Sequence, residues 1–300
     1  MTNQSRRAFL KCLGLAGTAS AVAVAGFASE GAINDNGVGL LYDATRCVGC
    51  KACVAACKRA NDLPPEKGAF DPEGIWDAPA DLDGKTRNIV KLYRESESVW
   101  SYVKVQCMHC IKPSCVSVCP VSAMQQDADG RVFYDKTRCI GCRMCMVACP
   151  FIVPRFQWEK ALPQIVKCDL CKFSEVPRKG NPACASVCPT GAVQYGRRRQ
   201  LLAEAKRRIE RNPGRYQRDV YGEHEVGGTN VLYLASAAVS FDKLGLPKLP
   251  YEAPAAFSEK IQHRIYKGFI APLAIYATLF FIAVGNRKKL AKKGEKEEGR

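Results

Sequence analysis

Sixteen of the seventeen cysteines in this 300-residue chain fall into four groups of four, and these are the side chains whose type and spacing can do chemistry. Cys139, Cys142, Cys145 and Cys149 follow the pattern C-x2-C-x2-C-x3-C and are closed by Pro150. Three thiolates on a tight loop reach three corners of one iron–sulfur cubane, and the fourth, carried off on the helix that follows, reaches a neighbouring one. Pro150 then prevents that helix from continuing. Cys47, Cys50, Cys53 and Cys57 repeat the spacing with Lys58 where the proline stood. Cys107, Cys110, Cys115 and Cys119 carry two extra residues between the second and third members, and Cys168, Cys171, Cys184 and Cys188 a twelve-residue excursion. Such groups move single electrons. Zinc ribbons also use paired C-x-x-C, but they need no third and fourth cysteine at this spacing followed by proline. Every cubane has four cysteines, which leaves no open corner for radical chemistry, and no C-x-x-C-H is present to attach a haem.

The elements that position these groups can be read from their flanks. Ala123–Gln126 and Val132–Tyr134 pair as a hairpin across Asp127-Ala128-Asp129-Gly130, so the two central groups have the order group, strand, strand, group. Val38–Tyr42 reads as a strand entering the first group, and Ala192–Tyr195 as a strand leaving the last. Joined end to end, these outer pieces repeat the central order. Residues 58–106, rich in Pro, Gly and Asp, read as an irregular insertion with one strand near Asn88–Tyr93. Arg197–Arg211 reads as a surface helix and Gly227–Ala235 as a strand without chemistry of its own.

The ends of the chain set its address. Ser5-Arg6-Arg7-Ala8-Phe9-Leu10-Lys11 precedes an uncharged Ala- and Gly-rich stretch, a twin-arginine export signal centred on Arg6 and Arg7. Gly268–Gly285 is an uncharged apolar run long enough to span a bilayer. The Arg and Lys residues from Arg287 to Lys293 follow at once and place the C-terminus in the cytoplasm. The formal net charge of +16 could suggest nucleic acid. Part of it lies in these two ends, however, and four thiolate-ligated cubanes would bring about −8 in their oxidised state, so the basic excess is largely countercharge. No nucleic-acid partner is expected.

The central stretch resembles the two-cluster bacterial ferredoxin domain. The implied fold class is α+β: two ferredoxin-like two-cluster modules, the inner one inserted in a circularly permuted outer one, plus a C-terminal transmembrane helix. The expected boundaries are a signal peptide at 1–28, an outer module at 29–100 and 150–235, an inner module at 101–149, and a linker and pre-membrane segment at 236–267. A helix at 268–285 and a basic cytoplasmic tail at 286–300 complete the chain. With ligands crossing between sister sites, four [4Fe-4S] clusters form. The first set is Cys47, Cys50, Cys53 and Cys188, and the second is Cys57, Cys168, Cys171 and Cys184. The third is Cys107, Cys110, Cys115 and Cys149, and the fourth is Cys119, Cys139, Cys142 and Cys145.

The nested groups, with Gln106-Cys107-Met108-His109-Cys110, Ser117–Ala123, the export signal and the anchor on one chain, resemble a family of four-cluster electron-transfer subunits. That family serves formate dehydrogenases, dimethyl sulfoxide and polysulfide reductases, and the membrane-bound respiratory nickel-iron hydrogenase-2, whose ferredoxin-like subunit this chain resembles. The resemblance implies a non-catalytic relay at the periplasmic face of the bacterial inner membrane. Its partners would be the large and small subunits of the hydrogenase, an integral membrane quinone-reactive subunit and the twin-arginine export machinery. The same relay in a molybdopterin formate dehydrogenase or reductase is the alternative. Gln262, His263 and Lys267, just before the anchor, are candidates for docking the membrane partner.

Overall fold

The computed structural model describes residues 36–65, 79–174, 180–255 and 272–287. The expected export signal with Arg6 and Arg7, and the docking residues Gln262, His263 and Lys267, lie outside them. At the centre is a three-stranded sheet in the order β8–β1–β9, with β1 at Val38–Asp43, β8 at Val193–Arg197 and β9 at Val231–Leu234. β1 runs antiparallel to β8 (Leu40 opposite Tyr195) and parallel to β9 (Leu40 opposite Val231). All six residues of β1 are buried because the sheet is covered on both faces. Alternation along the strand sends Leu40 and Tyr42 into the main core and Leu41 to the other face. There Leu41 meets Leu201 and Ala205 of helix α5 (Arg198–Arg211), spaced one turn apart.

The expected strand near Asn88 is β2 (Asn88–Arg94), but it is half of a hairpin with β3 (Trp100–Gln106), which pairs along its whole length. Residues 58–106 are therefore not irregular with a single strand. The pattern of β3 conceals it, since its buried positions include Ser101, Lys104 and Gln106. The central hairpin stands at β4 (Met124–Gln126) and β5 (Val132–Tyr134), and a short hairpin of β6 (Arg155–Phe156) and β7 (Ile165–Val166) follows.

The turn of the central hairpin is docked on the three-stranded sheet. Val38 N–H donates to Asp129 O at 2.8 Å, Asn230 Nδ2 donates to Gly130 O at 3.0 Å, and Arg197 reaches the Asp129 carboxylate at 2.9 Å. Gly39 is required here: a Cβ on it would stand 1.7 Å from Asn230 O. Residues 272–287 are helical and display Leu273, Tyr276, Phe280 and Phe281 to the exterior. The expected span of 268–285 begins outside the described residues, and those described amount to about 24 Å of helix at 1.5 Å per residue, less than the ~30 Å of a hydrocarbon core. Among the described residues no helix is long and apolar enough to cross a membrane.

Candidate metal centres

Each cysteine group is folded the same way. The third cysteine of every group is the second residue of a helix: Cys53 in α1 (Ala52–Ala60), Cys115 in α2 (Ser114–Ser117), Cys145 in α3 (Met144–Val147) and Cys184 in α4 (Ala183–Ser186). All four are buried. The first and third groups are also close local copies. Asp43 accepts from Thr45 N and Oγ1 at 3.0 and 2.7 Å, and Asp135 from Thr137 N and Oγ1 at 2.9 and 2.6 Å. Gly49 and Gly141 then take φ of 68° and 72°, and Lys51 and Arg143 take 56° and 61°, turning the loop so that successive cysteines face inward. At Gly49 no larger residue fits, because a Cβ would lie 2.3 Å from the Tyr102 ring.

Sequence-distant cysteines meet across these loops. One cavity is lined by Cys47, Cys50 and Cys53 together with Cys188, and another by Cys139, Cys142 and Cys145 together with Cys119. The two remaining sets are visible through their mutual fields. Burial, then Cys184, pushes the Cys57 thiol up to about 12, with Cys171 adding to it. Burial pushes Cys110 well up, followed by Cys107, Cys149 and Cys115. Neighbouring sets also lie within electrostatic reach of one another in series: Cys53 feels Cys184, Cys168 feels Cys107, and Cys115 feels Cys145. This is an order of first, second, third, fourth, with the interior sets flanked on both sides.

The donors suit an iron–sulfur group. All sixteen are free thiols, and among the described residues no three His, Cys, Asp or Glu side chains are placed to hold a single ion. Burial first, and then the fields of neighbouring cysteines, raise Cys53, Cys57 and Cys115 to about 12 and Cys145 to about 11, so these thiols need a bound cation to ionise. Backbone amides already point at sulfur: Ala123 N to Cys119 Sγ at 3.1 Å, Gly141 N to Cys139 at 3.4 Å and Leu170 N to Cys168 at 3.4 Å. At Cys188, burial is outweighed by the amides of Val193, Ala192 and Thr190 and by the Thr190 hydroxyl, and the thiol is lowered. His109 Nδ1 accepts from Val132 N–H at 2.9 Å, which assigns the proton to Nε2. That Nε2 is buried without a partner among the described residues, and a sulfide-bearing group held by the adjoining Cys110 would offer an acceptor.

The comparisons agree with this geometry. Residues 46–123 and 98–198 each match a family model described as a 4Fe-4S dicluster domain. The chain is 41% identical to the "Hydrogenase-2 operon protein HybA" of Escherichia coli O157:H7, over 84% of this chain and 85% of that one. It belongs to the iron–sulfur subunits of hydrogenase and formate dehydrogenase complexes. Other members include the nitrate-inducible formate dehydrogenase iron-sulfur subunit of E. coli K12, 35% identical over 84% of this chain and 87% of its own length. The formate dehydrogenase iron-sulfur subunit of Haemophilus influenzae is 35% identical over 70% and 68%. The chain is an electron-transfer subunit built from 4Fe-4S dicluster domains.

Sequence reading did not find the polar side chains buried among the sets. Lys104 is fully buried; burial presses it to lose its proton, but the fields of Cys184, Cys53, Cys168 and Cys57 prevail, and the net direction is upward. Lys167 Nζ lies 3.8 Å from Cys107 Sγ and donates to Cys168 O at 2.8 Å and to Val132 O. The signal was present in the sequence: a lysine between two valines of a strand, and another beside Cys168 after an Ile-Val pair.

Proposed function

We propose that the chain carries electrons through four [4Fe-4S] clusters between the catalytic dimer of a periplasmic nickel-iron hydrogenase and a quinone-reactive membrane subunit, and has no catalytic activity of its own. What supports the relay is that neighbouring sets lie in electrostatic reach of one another in the order first to fourth, with solvent reaching the first and the last. Cys50 of the first set and Cys142 of the fourth are exposed, whereas the second and third sets have no exposed member. Each open end is rimmed by exposed apolar residues, Val48 at one and Ile140, Met144 and Val147 at the other. Such rims suit protein partners that exclude water and bring their own redox groups close.

When bound, the clusters supply one-electron transfer without bond making or proton uptake. The residues of this chain hold them in order, keep water from the inner pair and present the ends. The hydrogenase identity of the donor is supported by the 41% identical relative. The formate dehydrogenase subunits among the relatives favour a second reading, the same relay on a molybdopterin enzyme. The nested modules and their boundaries, the Arg6-Arg7 export signal and an anchor at 268–285 on the periplasmic face of the inner membrane belong to the same proposal. On it, Gln262, His263 and Lys267 seat the membrane partner.

Purification of the native complex tests it. Nickel in stoichiometric amount favours the hydrogenase and molybdenum the alternative. Val48→Asp and Val147→Asp should each keep their iron, one releasing the catalytic partner and the other the membrane partner. If both variants hold both partners, the open-ended reading is wrong. Replacing Gln262, His263 and Lys267 with Ala should preserve dye-linked hydrogen oxidation and lower quinone-linked turnover.

A further inference from the structure

Two lysines are buried between the cysteine sets, one in each of two successive gaps. Lys104 on β3 has no exposed surface and donates to Gln106 Oε1, with Cys53 of the first set and Cys57, Cys168 and Cys184 of the second in electrostatic reach. Lys167 lies between the second and third sets, 3.8 Å from Cys107 Sγ and 2.8 Å from Cys168 O. Among the described residues neither ammonium has a carboxylate within ion-pair distance. The neighbouring Asp169 is paired with Arg87 at 2.9 Å. Among the described residues the fourth set has no such buried cation: Arg143, which lines its cavity, is exposed and stacks over Trp158 at 4.8 Å.

An unpaired buried ammonium is costly, and among the described residues the cysteines of the sets are the groups that would answer it, as thiolates once they hold iron, since Asp169 is taken by Arg87. We propose that Lys104 and Lys167 are built-in countercharges of the electron path, which raise the reduction potential of the first three sites, the second most, and leave the fourth unassisted. The inference rests on the four-cluster reading of the cysteine sets. Arrival of an electron adds one negative charge at a site, with no proton taken up and no bond broken, so a fixed ammonium beside it lowers the energy of the reduced state. Burial keeps solvent from screening that field. The two lysines flank the second site from both sides, and the interior of the path becomes easier to reduce than its fourth end.

The test is a potentiometric titration of the anaerobically purified complex, followed by paramagnetic resonance, with iron content measured in each variant. Lys104→Met should shift two of the four transitions toward the oxidised form by about tenfold in the one-electron equilibrium, about 59 mV. Lys167→Met should shift two, one of them shared, and one transition should respond to neither. Lys104→Arg and Lys167→Arg should stay near the parent values. If a Met variant loses iron, Lys104→Gln or Lys167→Gln, which keeps a donor for the same acceptors but carries no charge, gives the reading. Four transitions indifferent to charge at both positions, or all four moving together, would overturn the assignment. Fewer than four transitions in the parent protein would instead overturn the cluster reading on which it rests.

Discussion

Asp43 and Asp135 make the same turn in two copies of one loop, which allows the buried ion pair at Asp43 to be weighed against an internal control. Asp43 has no exposed surface; besides the Thr45 contacts it accepts from Arg208 at 2.9 Å and from the Tyr216 hydroxyl at 3.1 Å. Asp135 has the Thr137 contacts and a salt bridge to Arg138 at 3.3 Å. Asp43→Ala strands the Arg208 guanidinium, whose side chain is 9% exposed, although Glu204 still holds it at 2.9 Å. Breaking a buried pair costs about 3–5 kcal/mol, and the retained Glu204 contact places this one near 3. Leaving the Tyr216 hydroxyl unpaired adds about 1–2 kcal/mol, for a total of about 4–5 against a domain stability of about 5–15. Arg208→Met should cost less, because Asp43 keeps Thr45, Tyr216 and, at 3.7 Å, Arg46. Since loss of clusters makes unfolding irreversible, the measurement is the rate at which visible absorbance decays in urea under anaerobic conditions. Even if only a third of 4 kcal/mol reaches the barrier, Asp43→Ala accelerates the decay about tenfold. Asp135→Ala should decay close to the parent rate. Equal decay of the two Asp variants, or faster decay of Arg208→Met than of Asp43→Ala, would refute the argument.

Three further outcomes are expected. Cys188→Ser should alter the paramagnetic spectrum of the site that holds Cys47, Cys50 and Cys53; a change confined to the site of Cys168 would count against the crossed ligands. Anaerobic protein should carry about sixteen irons per chain, four for each four-cysteine set, and a reproducible value near twelve with little zinc would remove one set. Gly39→Ala should abolish accumulation of folded protein, since the added carbon meets Asn230 O at 1.7 Å, whereas Gly196→Ala, whose nearest neighbour is Leu201 at 3.6 Å, should accumulate normally. Equal solubility of the two would show that the central sheet is looser than described.

Much of the site was legible because its chemistry constrains spacing. Cysteine intervals, the proline after Cys149 and Cys188, and the turn Asp127–Gly130 each reflect a local geometric demand, and the central hairpin lies within a residue of where they put it. β1 and α5 were readable from continuous apolar character and from Asn212-Pro213-Gly214 at the helix end. What was not legible depends on distant partners. β3 hides because Lys104 and Gln106 face inward, where the Lys104 ammonium donates to Gln106 Oε1 and lies in the field of the cysteine sets. The pairing of β1 with β9 has no local signature, since a parallel neighbour contributes only backbone contacts and burial. Asn230, which joins the loop of His109 to the sheet through bonds to His109 O and Gly130 O, reads in isolation as one more polar residue after a glycine pair.

The position of β1 between β8 and β9 has a consequence for how the chain is made. Among the described strands β1 is synthesised first, but its sheet partners are the last to leave the ribosome: Val38 waits for Arg197, and Leu40 for Val231. At 5–20 residues per second those intervals are roughly 8–40 s, during which the strand lacks these two partners. The hairpin β4–β5 and the two central cysteine groups are complete well before then, so the middle of the protein can take up iron while its outer half is still open. The topology therefore permits assembly from the inside outward. The last event, closure of β9 against β1, also seats residues 228–231 on the loop of Met108–Ile111, and so finishes the half made last and locks the half made first in a single step.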